Sequence, residues 1–324
     1  MRIALPATIA LDPHRAVDRA ARVVDLGGAT MGTRWHVRLV APADRSVADI
    51  DAAIAARLDG LVAEMSQWSQ TSVLTRFNAS PAGTWTILPP DFAHVVAAGL
   101  AIAAATGGAF DPALGRVVDL HGFGATPIAG PPDAATLADA LAASGWRRLV
   151  FDPAARRLRQ PGGLALDLSG IAKGHAVDSI ADLLARMGIA DCLVEIGGEL
   201  VGRGMRPDRE PWWVDLEPPP GTAIAPLRIA LHGLAVATSG DYRRGAHTID
   251  PRTGRAIATG VVSASVISST ALGADAWATA LSVLGPDEGI AAAAEAGIAA
   301  RLVIVDDDGV REHLSPAMTA MLDD

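Results

Sequence analysis

The pattern of apolar and polar residues predicts a mixture of short strands and amphipathic helices. Apolar residues at every second position predict a strand over residues 35–41, and residues 261–268 predict another. Helical spacing predicts helices over residues 47–65, 134–143 and 271–284. Strands and helices do not alternate strictly, and no G-x-G-x-x-G motif follows a first strand. The sequence therefore predicts an α+β fold with partly antiparallel sheets and flanking helices, not a Rossmann fold.

One central stretch combines a predicted strand, a turn and a helix. Residues 164–168 are predicted as a short buried strand, Gly170 as the turn, and the residues from Ile171 to Gly188 as a helix with its end. Free backbone N–H groups at such a turn, together with the helix dipole, suit a phosphate, and Lys173 adds a positive charge. An ordinary strand–helix unit with a tight turn has the same pattern, so both interpretations stay open.

Composition and charge narrow the class of protein. The chain has 324 residues, of which 50% are hydrophobic and 19% charged, which is typical of a globular protein with a large core. The net charge of −9 argues against non-specific binding to nucleic acid. No apolar run is long enough to span a bilayer, and the N-terminal residues show neither a secretory signal nor a lipid-attachment cysteine. We therefore expect a cytoplasmic protein without a membrane span.

A carboxylate and a hydroxyl on one predicted helix are candidates for a metal site. Asp275 and Thr279 are four residues apart and therefore lie one turn apart on one face. Asp275 is the only charged residue between positions 271 and 284, and a buried carboxylate is costly unless it is paired or bound to a metal. Hard oxygen ligands favour Mg²⁺ over Zn²⁺. The alternative is structural, because Asp commonly caps a helix N-terminus.

Eight segments of the chain, in one order, carry a resemblance to a known family. They are MGTRW, MSQWSQTSVLTRFN, GAFDPALGRVVDLHGFG, LDLSGIAKGHAVD, LVEIGGEL, VATSGDYR, HTIDPRTG and ADAWATALSVLG. Between residues 31 and 285 the chain resembles the ApbE family of FAD:protein FMN transferases. The resemblance implies a single catalytic domain over residues 25–324, preceded by an N-terminal appendage of residues 1–24.

The resemblance also implies which residues bind FAD and Mg²⁺. The FAD site would be lined by Met31, Trp68, Ala109, Phe110, Asp111, Asp167, Lys173 and the backbone near Ile249. Mg²⁺ would be held by Asp275, Thr279 and the carbonyl groups of Gly170 and Ala278. In the implied reaction, a threonine hydroxyl of an acceptor protein attacks the FMN-side phosphorus of FAD, and AMP leaves.

His247 is the candidate general base for that reaction, because a hydroxyl nucleophile needs a proton acceptor. A structural hydrogen bond within the DPRTG turn is the alternative role for this histidine. The chain departs from the family in having only three residues between GDYR and HTID, and in having His175 where an aromatic residue is more usual. Two other functions remain open: an FAD pyrophosphatase that uses water as the nucleophile, and a non-catalytic FAD-binding protein.

The segment DLGGAT, residues 25–30, resembles the motif in which acceptors of this family are modified. Modification of Thr30 by another copy of the chain is one hypothesis, and it requires residues 1–30 to be mobile. The favoured alternative is a chance match of common residues, in which Gly27 and Gly28 belong to a loop that enters the first strand.

Overall fold

A computed structural model describes residues 1–6, 21–126, 130–240, 245, 247–307 and 309–322. The strands are β1 (Arg2–Ala4), β2 (Val23–Thr30), β3 (Thr33–Val40), β4 (Trp85–Ile87), β5 (Val150–Asp152), β6 (Arg157–Arg159), β7 (Cys192–Ile196), β8 (Glu199–Arg203), β9 (Trp212–Leu216), β10 (Leu227–Leu231), β11 (Leu234–Ser239), β12 (Ile249–Asp250), β13 (Arg255–Ala256), β14 (Val261–Ser268), β15 (Ala299–Asp306) and β16 (Gly309–Leu314). The helices are α1 (Val47–Met65), α2 (Val73–Ala79), α3 (Pro90–Ala105), α4 (Gly115–Leu120), α5 (Ala134–Ala143), α6 (Ala172–Arg186), α7 (Ala271–Glu295) and α8 (Pro316–Met321).

The largest sheet in these described residues has the order β16-β15-β14-β11-β8-β7-β3-β2, and its neighbouring strands run antiparallel. Three smaller sheets are β1-β10-β9, β4-β6-β5 and β12-β13. Helices that are mixed along the chain with mostly antiparallel sheets confirm the predicted α+β fold. Of the helices in the described parts of the chain, none combines the length and the apolar character that crossing a bilayer requires.

The core lies between the large sheet and the helices α1, α3, α6 and α7. In β3, Trp35, Val37 and Leu39 point into the core, whereas Arg34, His36 and Arg38 are exposed. This alternation buries one face of the strand and fixes its register against β2 and β7.

Helices α6 and α7 approach each other closely, and each provides hydrogen bonds to the first turn of the other. Asp178 of α6 accepts the N–H groups of Ala271 and Leu272 at distances of 2.9 Å. Asp275 of α7 accepts the N–H of Gly174 at 3.0 Å. These contacts satisfy N–H groups that have no partner within their own helix. They also fix the start of α6, and the turn before it, relative to α7.

The predicted strand over residues 164–168 is wrong. This segment belongs to no sheet of the described residues, and side-chain amides pair the backbone groups of Leu164 and Leu166. Asn78 donates to the Leu166 carbonyl at 3.0 Å and accepts the Leu166 N–H at 2.8 Å. Gln160 bonds both backbone groups of Leu164 in the same way, at 3.1 and 3.2 Å. Backbone groups that a ladder would pair are therefore satisfied by single side chains.

The structure corrects a further expectation. Residues 25–30 do not form a loop but belong to β2, where Gly28 pairs with Trp35 and Thr30 with Thr33. A side chain at Gly28 would lie 2.6 Å from the indole nitrogen of Trp35, so the tight packing requires glycine. The segment over residues 108–124 contains helix α4.

The predicted N-terminal appendage overlaps with structured parts of the chain. Residues 2–4 form β1, parallel to β10, and Arg2 makes an ion pair with Glu312 at 2.5 Å. The predicted boundary after residue 24 falls inside β2. The rest of the appendage, residues 7–20, lies outside the described residues.

Two glycine substitutions test the close packing of α6 on α7. A Cβ atom at Gly174 would lie 2.2 Å from the Ala271 carbonyl oxygen, so Gly174→Ala should lower the free energy of unfolding by about 1–3 kcal/mol. A Cβ atom at Gly60 in α1 would meet no atom within 4 Å. Gly60→Ala should therefore raise the free energy of unfolding by about 0.5–1 kcal/mol. Urea denaturation measures both. Equal effects of the two variants would show that α6 and α7 do not constrain each other here.

Candidate functional site

A cavity of about 280 Å³ lies where α6 begins, beside α7 and the β7–β8 hairpin. It brings together most of the residues predicted to form the site: Ala109, Phe110, Asp111, Asp167, Gly170, Lys173, His247, Ile249, Asp275 and Thr279. They come from parts of the chain as far apart as residues 109 and 279. Because the fold converges on one cavity, residues of these separate segments can act on one ligand.

A smaller neighbouring cavity, of about 90 Å³, contains the other two predicted FAD residues, Met31 and Trp68. Ser169 and Lys173 line both cavities and therefore mark the place where they meet. The side chain of Trp68 is 61% exposed, on the rim of the smaller cavity. Ala278 lines neither of these cavities. It is buried in the apolar packing of α7, and its carbonyl accepts a hydrogen bond from the Ser282 hydroxyl at 3.0 Å.

The turn before α6 is built around Asp167 and Gly170. Asp167 accepts hydrogen bonds from the Ser169 N–H at 2.8 Å and from its hydroxyl at 2.6 Å. Burial raises the pKa of the Asp167 carboxyl, and the two bonds from Ser169 oppose that shift. A Cβ atom at Gly170 would lie 2.8 Å from the Thr279 hydroxyl oxygen. Glycine therefore lets this turn approach the α7 residue that was predicted to bind a metal.

Lys173 lies between two buried carboxylates. Its Nζ is 2.5 Å from Oε1 of Glu199 and 3.7 Å from Oδ1 of Asp275. Burial raises the pKa of Asp275, Lys173 opposes the shift, and Glu199 adds to it. Two carboxylates and one ammonium leave this buried cluster with an excess of negative charge when both acids are ionised. A cation beside the cluster would therefore be stabilised.

The oxygen atoms near Asp275 fit a hard divalent cation. The residues that converge there offer a carboxylate, the Thr279 hydroxyl and the backbone of Gly170. Oxygen ligands of this kind suit Mg²⁺. The described residues contain no group of three or more His, Cys, Asp or Glu side chains that could hold a metal ion such as zinc. The structural alternative for Asp275 also has support, because its other oxygen Oδ2 bonds the first turn of α6.

Asp111 supports the loop that it belongs to. Its two oxygens accept the N–H groups of Ala113 at 2.8 Å and of Trp146 at 3.1 Å. Burial raises the pKa of the Asp111 carboxyl to about 6, although these bonds oppose the shift. The side chain thus positions the neighbouring Ala109 and Phe110, which line the cavity beside it.

His247 lines the same cavity and belongs to a turn-rich segment. Its Nδ1 is 2.9 Å from the Gly245 carbonyl oxygen, and its ring meets that of Phe123 edge-on at a centroid distance of 6.2 Å. These contacts hold the imidazole at the cavity. Of the three residues between GDYR and HTID, Arg244 and Ala246 lie outside the described residues.

The structure adds site residues that the sequence did not indicate. Glu199, Thr33, Thr238 and Ser239 also line the cavity. For Glu199 a signal existed, since a carboxylate directly after Gly197-Gly198 must lie at the end of a tight hairpin. His175, by contrast, points away from the cavity and lies 2.9 Å from Asp91, and burial lowers its pKa.

Comparison with known proteins gives a consistent result. The model of the ApbE family matches residues 31–302. The FAD:protein FMN transferase of Klebsiella pneumoniae (strain 342) is 35% identical over 318 residues, which cover 94% of this chain and 90% of that protein. The enzyme of the same name from Escherichia coli (strain K12) is 33% identical, with 96% and 92% covered.

Solved structures are also similar over nearly the whole chain. The flavin transferase ApbE from Vibrio cholerae has a TM-score of 0.87 and 32% identity, and 93% of this chain and 99% of that one are covered. The flavinyl transferase ApbE of Pseudomonas stutzeri, in its apo form, has the same TM-score with 35% identity, and 93% and 97% are covered.

The raised pKa of Asp111 predicts how stability depends on pH. The folded protein holds the Asp111 proton up to about pH 6, whereas the ordinary pKa of an aspartate is 3.8. The resulting contribution to stability is fully present below pH 3.8 and is lost as pH rises through about 6. Asp111→Asn should therefore reduce the loss of unfolding free energy in this window by about 1–3 kcal/mol.

Urea denaturation at a series of pH values measures this slope separately from any constant loss of stability. Asp133→Asn is the control, since the pKa of this exposed carboxyl is lowered and its effect falls below the same window. An unchanged slope in Asp111→Asn would contradict the assignment of the raised pKa.

Proposed function

The chain belongs to the ApbE family, and from that membership we propose that it transfers the FMN part of FAD to an acceptor protein, with release of AMP. The resemblance found in its sequence segments is confirmed by the family match and by the relatives named FAD:protein FMN transferase. The observation that carries the proposal is the convergence of Lys173, Gly170, Asp275 and Thr279 on one cavity.

The layout of the two cavities supports FAD as the substrate. FAD has two ring systems joined through a pyrophosphate, and the cavities meet at Ser169 and Lys173. A pyrophosphate there would face the Lys173 ammonium and the positive end of the α6 dipole, both of which attract anions. Met31 and Trp68 offer one ring system apolar and aromatic surface in the smaller cavity.

The oxygen atoms around Asp275 support Mg²⁺ as the companion of the pyrophosphate. We propose that Asp275, Thr279 and the Gly170 carbonyl hold the ion, whereas the Ala278 carbonyl, which the resemblance also implied, is bonded to the Ser282 hydroxyl. When bound, Mg²⁺ offsets phosphate charge and polarises the phosphorus–oxygen bonds. Lys173 adds a fixed positive charge, which Glu199 and Asp275 hold in place.

In the transfer step, the threonine hydroxyl oxygen of the acceptor forms a bond to the FMN-side phosphorus of FAD. The bond from that phosphorus to the bridging oxygen breaks, and the bridging oxygen leaves with AMP. The hydroxyl proton passes to His247, whose Nδ1 faces the Gly245 carbonyl and whose Nε2 is the proposed acceptor. Catalysis of this kind relies on positioning and charge stabilisation.

The first test is incubation with FAD, Mg²⁺ and a flavin-acceptor domain, with AMP and covalent flavin as products. We expect Asp275→Asn to lower the transfer rate at least about 100-fold and to abolish Mg²⁺ binding in calorimetry. Asp287→Asn changes an exposed carboxylate in the part of α7 that follows its kink at Gly285, so it is the control and should behave as wild type.

The other outcomes of this assay identify the alternative functions. Release of FMN and AMP without any acceptor would indicate a pyrophosphatase. FAD binding that is insensitive to removal of Mg²⁺, with no product, would indicate a non-catalytic binding protein. Both results would contradict the proposed transfer.

A second test concerns the proposed general base. We expect His247→Gln to lower kcat by about 10²–10⁴-fold and to leave the Kd for FAD unchanged, because only the proton transfer is lost. His36→Gln, at an exposed position of β3, is the control. If His247→Gln instead lowers the thermal midpoint and FAD affinity together, the histidine has the structural role in its turn.

A further inference from the structure

The β7–β8 hairpin places a buried carboxylate in the cavity wall, and the proposed reaction uses only one of its two oxygens, the one that holds Lys173. Gly197 and Gly198 form its turn with φ values of 66° and 108°, a combination that a two-residue hairpin loop favours. Glu199 follows directly, is 4% exposed, and lines the cavity. The turn therefore fixes the position of this side chain on a rigid sheet rather than on a loop.

The two oxygens of Glu199 have different surroundings. Oε1 lies 2.5 Å from Nζ of Lys173. Oε2 is buried and has no hydrogen-bond partner among the described residues. It lies near Gly197: a Cβ atom built at Gly197 would be 3.5 Å from it and 3.0 Å from the Thr33 side chain. A buried acceptor without a donor is costly, so native proteins rarely keep one without a function.

The chemistry of Oε2 selects its ligand. A carboxylate oxygen accepts a hydrogen bond and repels a phosphate, so the group that it binds must be an uncharged or cationic donor. Lys173, on the other side of the same carboxylate, faces the place proposed for the pyrophosphate. A ligand that contacts both Lys173 and Oε2 of Glu199 therefore needs a hydrogen-bond donor close to a phosphate.

We propose that Glu199 is a substrate-binding residue whose Oε2 accepts a hydrogen bond from a hydroxyl group next to the reacting phosphate. This inference rests on the proposed function, since it takes FAD and an acceptor protein as the ligands. The hydroxyl belongs to a sugar of FAD or to the side chain of the acceptor. Either hydroxyl could donate the hydrogen bond in the same way, and binding measurements show which of the two it is.

The test uses Glu199→Gln in the full chain and two probes, FAD and inorganic pyrophosphate. The substitution keeps the shape of the side chain but removes its charge and half of its acceptor capacity. If the hydroxyl belongs to FAD, the Kd for FAD should rise about 10-fold, because a hydrogen bond to a charged group is lost. The Kd for pyrophosphate, which has no carbon-bound hydroxyl, should stay the same or fall.

If the hydroxyl belongs to the acceptor, the Kd for FAD stays unchanged and KM for the acceptor domain rises by a similar factor. Equal weakening of FAD and pyrophosphate would overturn the proposal, since Glu199 would then act only through the position of Lys173. No change in any of these constants would also overturn it. The FAD and pyrophosphate titrations need no transfer, so they give a result even if the proposed reaction fails.

Two further variants keep the test interpretable. Glu195→Gln, on the neighbouring strand of the same hairpin, removes a charge outside the cavity lining and should leave every constant unchanged. Glu199→Asp keeps the charge and shortens the reach, and should weaken the same ligand as Glu199→Gln. Unfolding midpoints of all variants identify any loss of folding, and Glu199→Asp serves where Glu199→Gln does not fold.

Discussion

The close contact between α6 and α7 is the constraint on which the site depends. Gly174 has no side chain, so the two helices approach until Asp275 reaches the backbone of α6. Asp178 makes the corresponding contact with the start of α7. Each helix therefore satisfies N–H groups at the start of the other. The turn before α6, Lys173 and the oxygen atoms of α7 take their relative positions from this contact.

The same contact explains the electrostatics of the cavity. Asp275 and Glu199 are buried on either side of Lys173, so solvent screens their charges only weakly. One lysine cannot neutralise two carboxylates, so the cluster favours additional positive charge. The anionic pyrophosphate and its proposed cation would enter this environment together. Charge compensation, more than shape alone, makes the cavity suited to a nucleotide with a divalent ion.

The spacing of apolar and polar residues predicted the bounds of several elements closely. It could not predict contacts between residues that are distant in sequence. Helices α1 and α5 and strand β14 have the predicted bounds, because their periodicity is a property of consecutive residues. Residues 164–168 have the composition of a strand, but their partners are the side chains of Asn78 and Gln160. The roles of Asp275 and Lys173 could be proposed from residue type and resemblance. The unpaired oxygen of Glu199 could not, since it depends on where three separate elements meet.

The hairpin of β2 and β3 shows that the conformation of a short motif decides whether an enzyme can modify it. Residues 25–30 match the letters of an acceptor motif, yet each is paired with a residue of β3, and Gly28 packs on Trp35. To enter another active site, Thr30 would first have to leave the sheet, and the free energy of that local unfolding would be subtracted from the affinity. Substrate status thus depends on the opening equilibrium of a segment as much as on its residues. A folded enzyme can contain a sequence that matches the acceptor motif and still be protected from modification.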